Sequence, residues 1–554
     1  MKRICALLLA LILAAAMTVP ALASGYTDIP AGSSLAGEIE RAGTYGLMHG
    51  YSAVTFGYSD PMTRAQFVTV LVRMMPGWAD DTQTRSHITD AMKLPSGLSS
   101  AYAGCIDCAA AHDVVDTDAP FRPGDAITRG EMAEMLVRAL GLKSAAQSAE
   151  QDALPFTDVS AGRGYIAVAY AIGMTKGVSA TSFAPGSRTT RAQAAAMLVR
   201  IYEKYTHATD WVHGFYAISS YGQLSLAAHM DALSAGWSRM TWDGTTALLS
   251  TTSANGNEYC VPSGYDSVVK ELESGGKTLN LSVYMDNSGG LLAEMLASAA
   301  GRTQAVTQIL TELTVSYKAV GKNPYSGVTV DFEGLRSGAR ADFNSFLNAL
   351  SAGVHALGKT LYVTVQPVLT TGSYYDGYDY KTIGELADRV ILMAHDYDPL
   401  SLSGYEGTEY YKNAALTPVA QVYEALRSAT DASQGVQDPG KLVLAISCRA
   451  VAWKIDEADR LTDPTPIPIS SATLCRRLAQ SGTAAGFSSV YGNAYAVYTD
   501  ESGQRYFVWY ENTQSVSEKI RLARLFGVDA VSVWRLGNIP TAASVGCDLL
   551  SAIR

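Results

Sequence analysis

The sequence predicts an α/β protein in which a (β/α)8 barrel with a β-hairpin-containing insertion follows a mainly α-helical array of three repeats. Two observations support this prediction. From Trp211 onward, eight short β-rich segments alternate with helical stretches over about 340 residues. Before Trp211, one pattern recurs three times at intervals of about 60 residues, which is typical of an array of small units.

Each of the eight segments is a short run rich in branched and aromatic residues, the composition that favours strands. A doubly wound open sheet would alternate in the same way, but no glycine-rich phosphate loop follows the first segment, and eight units favour a closed barrel. Between the last two segments, residues 488–512 predict a hairpin that turns at residues 500–503 and is positioned to wall a cleft. The segments are Val212–Ile218, Ser238–Trp242, Leu279–Met285, Gly327–Phe332, Thr360–Gln366, Val390–His395, Leu442–Ser447 and Ala530–Trp534.

Residues 1–23 have the form of a secretory signal. Lys2 and Arg3 precede the apolar run 6–17, and residues 21–23 provide a small-residue cleavage site. The run is shorter than the roughly 20 apolar residues that span a bilayer, so a membrane anchor is the weaker alternative. No later segment is long and apolar enough to span a membrane, so we expect a secreted mature chain. The net charge of -10 comes without a basic stripe, which argues against nucleic acid as a partner.

Six of the seven cysteines lie after the signal segment, too few for a disulfide scaffold in a chain of this length. Cys105 and Cys108 form a single CxxC, which is compatible with a disulfide, a redox pair or half of a zinc site. No second CxxC or histidine pair completes a tetrahedral site. The sequence therefore favours a buried or oxidised pair and predicts no bound metal.

The three repeats each contain Thr-Arg-x-Gln or Thr-Arg-x-Glu, which predicts a helix start with a threonine N-cap and a capping-box partner three residues later. A capping box does not explain the arginine at the first helical position, where the helix dipole disfavours a cation. Arginine beside free backbone N–H groups suits an anion, so we expect a carboxylate-bearing ligand there. The arginines are Arg64, Arg129 and Arg191, and a second one follows nine positions later at Arg73, Arg138 and Arg200.

This pattern resembles the S-layer homology (SLH) domain, and Ile127–Glu131 comes closest to the helix-start motif of that family. Three SLH repeats would occupy residues 26–80, 87–145 and 154–205. The resemblance implies attachment to acidic, often pyruvylated, secondary cell-wall polymers, with the three helix-start arginines meeting the polymer. The first and third copies have glutamine in place of glutamate, and the first lacks the usual proline, so we expect unequal binding.

The segment Gly327–Glu333 alternates as a strand, with Thr329, Asp331 and Glu333 on one face. Two carboxylates this close at the carboxyl end of a barrel strand repel each other, which raises the pKa of one of them. A carboxylic acid that stays protonated near neutral pH is what a glycosidase needs to protonate its leaving group. Two solvated acids at a surface strand end are the alternative. The barrel context favours catalysis.

The same segment resembles the Asp-x-x-Asp-x-Asp-x-Glu signature of glycoside hydrolase family 18, the chitinase and N-acetylglucosaminidase family, at its last two acidic positions. The first two positions are Ser326 and Thr329, a loss that also occurs among the cortex- and peptidoglycan-acting members. Further agreement lies at Met393–Tyr397, against the family's Met-x-Tyr-Asp, and at Val533–Gly537, where the family closes its barrel with a tryptophan. Residues 508–512 are like a stretch of the spore-cortex enzymes, so the resemblance spans most of residues 211–554.

The resemblance implies hydrolysis without an enzyme nucleophile or a cofactor. The 2-acetamido oxygen of the sugar attacks the anomeric carbon while Glu333 protonates the leaving oxygen, and Asp331 orients the acetamido group. Asp396 completes the catalytic set, and His395 replaces the family tyrosine that holds the acetamido carbonyl, so either His395 or Tyr397 would take that role. Packing is the favoured alternative for two of the aromatic candidates, Tyr216 and Trp242. The candidate substrate-binding residues are Thr329, Gln366, His395, Tyr397, Trp534, Tyr216 and Trp242.

The sequence as a whole therefore predicts a secreted, wall-anchored glycoside hydrolase that cleaves β-linked N-acetylglucosamine-containing glycans: peptidoglycan, spore cortex or chitin. A lectin-like wall protein that has lost turnover is the alternative. The departures at Thr329 and His395 favour that alternative, and the retention of Asp331 and Glu333 argues against it.

Overall fold

The computed structural model describes residues 25–368 and 376–553. The chain divides into two compact units, an N-terminal unit (Met1–Leu140 and Glu150–Glu203) and a barrel unit (Gly141–Ala149 and Lys204–Arg554). The predicted signal segment lies outside the described residues. Within the described ranges, no helix combines the length and the apolar character needed to cross a membrane.

The N-terminal unit is helical, as predicted. In all three repeats the capping box forms: the threonine hydroxyl accepts from the backbone N–H three residues later, and the Gln or Glu side chain accepts from the threonine N–H. Cys105 and Cys108 lie one turn apart on the third helix as buried, unbonded thiols, which agrees with the predicted buried pair. The helices from Ala36 to Tyr205 are α1 (Ala36–Thr44), α2 (Arg64–Met74), α3 (Ser100–Ala111), α4 (Arg129–Ala139), α5 (Lys143–Ser148, which belongs to the barrel unit), α6 (Arg163–Ala171) and α7 (Arg191–Tyr205).

Each repeat pairs with both of the others through a short backbone bridge next to a helix start. The bridges join Thr63 to Ala126, Thr128 to Arg188, and Pro61 to Thr190. Since each repeat supplies one partner to the next and the third returns to the first, the three repeats close into a ring.

The barrel unit contains the predicted closed barrel. Eight parallel strands follow one another around it, and the first pairs with both the second and the last. The seventh and eighth strands have the predicted bounds. The second strand begins at Ala232, six residues before the predicted start at Ser238. A register shift between Ala235 and Ser238 lets this stretch of small residues continue the strand. The barrel strands are β1 (Trp211–Tyr216), β2 (Ala232–Trp242), β4 (Thr278–Asp286), β5 (Gly327–Glu333), β6 (Thr360–Val365), β7 (Arg389–Leu392), β8 (Leu442–Ser447) and β14 (Ala530–Trp534), and β3 (Ala247–Ser250) extends β2 as an antiparallel neighbour.

An antiparallel sheet fills the insertion between β8 and β14, in the strand order β10-β9-β13-β12-β11. We call it the insertion sheet. The predicted hairpin is its β12–β13 pair, which turns at residues 500–503. Its strands are β9 (Ala450–Ile455), β10 (Ile467–Ile469), β11 (Ala484–Ser488), β12 (Asn493–Thr499) and β13 (Arg505–Tyr510), and the short pair β15 (Thr541–Ala542) and β16 (Cys547–Asp548) follows β14.

Helices connect the barrel strands and cover their outer faces. The remaining helices are α8 (Tyr265–Ser274), α9 (Leu291–Ala297), α10 (Ala299–Glu312), α11 (Arg340–Ala356), α12 (Tyr380–Leu386), α13 (Val419–Ala429), α14 (Ser471–Leu478), α15 (Thr513–Leu525) and α16 (Leu549–Ile553). In a barrel of this kind the functional groups gather at the carboxyl ends of the strands.

Candidate active site

Strand β5 presents its polar residues to the barrel interior. Thr329 and Asp331 are buried, and Glu333 is half-buried at the carboxyl end of the strand. The intervening residues pack outward on α11, where the rings of Phe332 and Phe346 stack with centroids 5.3 Å apart. The alternation seen in the sequence thus brings both predicted carboxylates to the barrel mouth.

Strand β4 adds a second row of polar side chains beside the first, which the sequence analysis did not identify. The signal was present as the same alternation of polar and apolar residues along the strand. In the parallel register Ser282 pairs with Thr329, Tyr284 with Asp331, and Asp286 with Glu333.

A cavity of about 590 Å³ opens at these strand ends. Asp331 lines it together with aromatic side chains of β1, β4 and β14. The loop after β3 contributes Glu258 and Tyr259, and the Tyr259 ring stacks on Tyr284 with centroids 4.8 Å apart. Among the described residues the lining includes none from the insertion sheet, so this loop, rather than the predicted hairpin, walls the cavity.

The Asp331 carboxylate is held by a threonine on the neighbouring strand. The hydroxyl of Thr364, itself fully buried, donates to Oδ1 of Asp331 at 2.7 Å. Burial raises the pKa of Asp331, while the Thr364 hydrogen bond and the nearby His395 act in the opposite direction. Thr364 is therefore a positioning residue that the sequence analysis missed, because only the tertiary structure brings β6 against the Asp331 side chain.

Glu333 has the protonation behaviour of a general acid. Burial, together with the charges of Asp331, Asp396 and Asp286, raises the pKa of Glu333 to about 8. The predicted repulsion between the paired acids is therefore present, but burial is the larger cause. Glu333 thus keeps its proton at neutral pH.

We expect kcat/KM to hold through neutral pH and to fall above about pH 8, because the acid must carry its proton before the reaction starts. Asp286→Asn removes one of the like charges that raise the pKa of Glu333, so the alkaline limb should move to lower pH. The measurement is kcat/KM against pH for both proteins. If the alkaline limb of the Asp286→Asn profile stays at the wild-type pH, the Asp286 carboxylate does not contribute to the raised pKa of Glu333.

Asp396 lies at the carboxyl end of β7 in an ionised state. Burial opposes ionisation, but His395 and Arg449 outweigh it and hold the pKa of Asp396 well below its usual range. Nη1 of Arg449 lies 3.0 Å from Oδ1 of Asp396, and the Ser447 hydroxyl donates to the same oxygen at 3.1 Å. Arg449 follows β8, a distant element in sequence, so the sequence analysis could not pair it with Asp396.

Two candidates for holding the acetamido carbonyl lie next to Asp396. Nδ1 of His395 lies 3.0 Å from Oδ2 of Asp396 but is not aligned for a hydrogen bond. The Tyr397 hydroxyl is buried, and it has no hydrogen-bond partner among the described residues. Both groups retain hydrogen-bonding capacity, and the alternative between them stays open.

Gln366 supports the loop after β5. Its Oε1 accepts from the backbone N–H of Gly334 at 2.6 Å and from the Tyr378 hydroxyl at 3.2 Å. Because Gly334 directly follows Glu333, Gln366 positions the catalytic strand end, and its role in binding substrate stays a prediction.

Of the three aromatic candidates, the structure brings two to the cavity. Trp534 lines it, and the Trp534 ring packs edge-on against Phe215 with centroids 5.0 Å apart. Tyr216 borders the cavity too, but it is only about 1% exposed, so it packs mainly in the core. Trp242 is absent from the described lining, and its ring lies against Gly301 of α10. Packing against a helix therefore accounts for Trp242, as the alternative interpretation held.

Thr329 belongs to a buried chain of neutral groups beneath the cavity and is fully buried, so the structure does not place it in contact with a substrate. Its hydroxyl lies 2.5 Å from the hydroxyl of Ser234, which lies 2.8 Å from Nε2 of His213. Nδ1 of His213 lies 2.7 Å from the Ser532 hydroxyl, and burial lowers the pKa of His213 to about 3. Hydroxyl and imidazole groups thus fill the place beneath Asp331 where the family signature has an acid.

One grouping in the described part of the chain has metal-ligand spacing: His207, Asp210 and Asp529. These residues precede β1 and β14, at the amino ends of the strands, and so lie away from the cavity mouth. Exposed acidic groups of this kind are common without a metal.

The helix-start arginines of the N-terminal unit join neighbouring repeats. Each guanidinium packs over a phenylalanine ring of the next repeat at about 5 Å and donates to the backbone carbonyl of the same residue. This role was not predicted, because the partner lies in another repeat. The donors and carbonyls are Arg64 to Phe121 at 2.7 Å, Arg129 to Phe183 at 2.8 Å and Arg191 to Phe56 at 3.0 Å.

A closed parallel barrel with paired carboxylates at its mouth defines the class of barrel that glycoside hydrolases use. Within that class, residues 267–538 match the model of glycosyl hydrolases family 18, and residues 25–68 and 155–195 match the S-layer homology domain. The chain therefore carries a family 18 glycosyl hydrolase domain preceded by S-layer homology domains, as the motifs predicted. The middle repeat lies outside the matched segments but has the same capping box and arginine contact.

The cortical fragment-lytic enzyme of Bacillus anthracis is 22% identical over 282 residues, covering 49% of this chain and 62% of that protein. The chain thus spans less than two thirds of that relative's length. Among solved structures, the spore cortex-lytic enzyme SleL of Bacillus cereus has a TM-score of 0.47 at 20% identity, covering 63% of this chain and 75% of that chain. A chitinase from Chromobacterium violaceum ATCC 12472 has the same score and identity and covers 62% and 97%.

Proposed function

We propose that the protein is a cell-wall glycosidase that cleaves glycans containing β-linked 2-acetamido sugars by substrate-assisted, retaining hydrolysis. The observation that carries the proposal is the pair of carboxyl groups at the end of β5: Asp331 lines an aromatic-lined cavity, and the pKa of the adjacent Glu333 is raised to about 8. Glu333 donates its proton to the leaving oxygen. Asp331, positioned by Thr364, orients the acetamido group as its oxygen attacks the anomeric carbon.

Incubating the purified protein with peptidoglycan, spore cortex and chito-oligosaccharides tests this proposal, with mass analysis to identify the products and proton NMR at early times to read their anomeric configuration. Cleavage that leaves a reducing-end 2-acetamido sugar in the β configuration supports it. Tight glycan binding without any product would instead support the lectin-like alternative, which the neutral Thr329 network and His395 motivate.

We further propose that the N-terminal unit attaches the enzyme to the wall by binding an acidic polymer. One groove between repeats provides most of that binding. A groove of about 240 Å³ contains Arg73 and Arg191, whose described partners are backbone carbonyls. A second groove contains Arg64 and Arg138, but both are paired with carboxylates there. In the first groove an anion would meet two guanidinium groups that have no described carboxylate partner. In the second groove carboxylates already pair with both guanidinium groups, so an anion should bind there more weakly.

Arg73→Gln is expected to weaken binding to isolated walls by about threefold to tenfold, because it removes one charged hydrogen-bond donor from the first groove. Arg73 is exposed, and its described hydrogen bond goes to the Leu47 carbonyl of its own repeat, so the ring of repeats should stay closed. Arg200→Gln is the matched control, since Arg200 has the equivalent position in the third repeat but pairs with Glu38 at 3.1 Å. Sedimentation with walls measures both, and equal losses would contradict the assignment to one groove.

A further inference from the structure

The catalytic cavity contains one cation among its described lining residues, Arg535, which directly follows Trp534 at the end of β14. Its Nη1 donates to the Ser219 hydroxyl at 2.8 Å and to the Leu536 carbonyl at 3.4 Å. Ser219 lines the same cavity. The guanidinium is therefore held at the cavity rim with donors left over, since arginine carries five N–H groups.

No carboxylate among the described residues lies within ion-pair distance of Arg535. The acids that line the cavity are Glu258 and Asp331. Glu258 precedes Tyr259, which stacks on Tyr284 of β4, and β4 is three strands from β14 in the order β14-β1-β2-β4. Arg535 thus lines the cavity without an ion-pair partner in the described part of the chain.

We infer that Arg535 recognises a carboxylate attached to the sugar bound next to Trp534, and that the preferred substrate is an anionic 2-acetamido glycan rather than a neutral one. This inference rests on the proposed function. A neutral chain of N-acetylglucosamine offers the guanidinium only hydroxyl and amide oxygens. A lactyl ether or an attached peptide supplies a carboxylate instead. The hydrogen bond between that carboxylate and the guanidinium is about twice as strong as a neutral one.

The test compares two substrates of equal length, a neutral N-acetylglucosamine oligomer and a glycan that alternates N-acetylglucosamine with its lactyl-ether derivative. For the wild type, kcat/KM should be higher on the anionic glycan, and added salt should reduce the ratio because it screens an exposed charge pair. In Arg535→Gln the ratio of anionic to neutral kcat/KM should fall about tenfold or more. Arg535→Lys, which keeps the charge, should recover part of it.

Glu258→Gln is the matched control, because it removes a charge of opposite sign from the other side of the cavity and should not lower the ratio. Anionic glycan with and without its peptide separates the two carboxylate sources. Failure of the wild type to cleave any of these glycans would overturn the proposed function itself. Cleavage with a salt-independent ratio, or a ratio that Arg535→Gln changes by less than about twofold, would overturn the assignment of Arg535 alone.

Discussion

Replacing Glu333 with glutamine is expected to lower turnover by about two to four orders of magnitude, the usual scale for a general acid. Glutamine keeps the size and the burial of the side chain but has no proton to give to the leaving oxygen. The carboxyl group it replaces is held protonated by burial and by three neighbouring acids. Steady-state hydrolysis of a defined 2-acetamido oligomer measures the loss.

Binding provides the control for this prediction. Since glutamine conserves the shape of the site, the affinity of Glu333→Gln for an uncleaved oligomer, measured by calorimetry, should stay close to that of the wild type. A variant that keeps more than about a tenth of the wild-type turnover would show that another group protonates the leaving oxygen. A variant that loses binding as well would indicate a disturbed site rather than a missing acid.

Glu511→Gln is expected to destabilise the barrel unit by about 3–5 kcal/mol, because it leaves a buried ammonium group without its counter-ion. Glu511 and Lys519 are each about 2% exposed and lie 2.9 Å apart. Lys519 also donates to the Gly492 carbonyl at 2.8 Å, and Asn493 donates to Glu511 at 2.9 Å. Through these contacts the pair joins α15, which carries Lys519, to the start of β12 and to Glu511 at the end of β13. Denaturant unfolding followed by tryptophan fluorescence measures the change.

An exposed ion pair in the same sheet is the matched control. Lys454 of β9 lies 3.0 Å from Asp463, and both side chains are about one third exposed, so Asp463→Asn should cost no more than about 1 kcal/mol. Similar losses for the two variants would contradict the view that burial makes the Glu511 pair important.

Much of the fold could be predicted because it depends on local patterns. Short β-rich segments alternating with helices marked all eight barrel strands, and Thr-Arg-x-Gln/Glu marked three helix starts whose capping boxes form as expected. Strand β2 was predicted too short because Gly236 and its small neighbours have weak strand propensity, which pairing with β1 and β4 overrides.

The sequence by itself determined the barrel, the three helical repeats and the placement of Asp331 and Glu333 on one face of a strand, because periodicity and capping act within a few residues. Only the tertiary structure decided which groups surround them. Thr364 reaches Asp331, Asp286 and Asp396 raise the pKa of Glu333, and Arg449 holds Asp396 ionised. These contacts join residues tens of positions apart, and the desolvation that keeps Glu333 protonated arises only when the barrel closes.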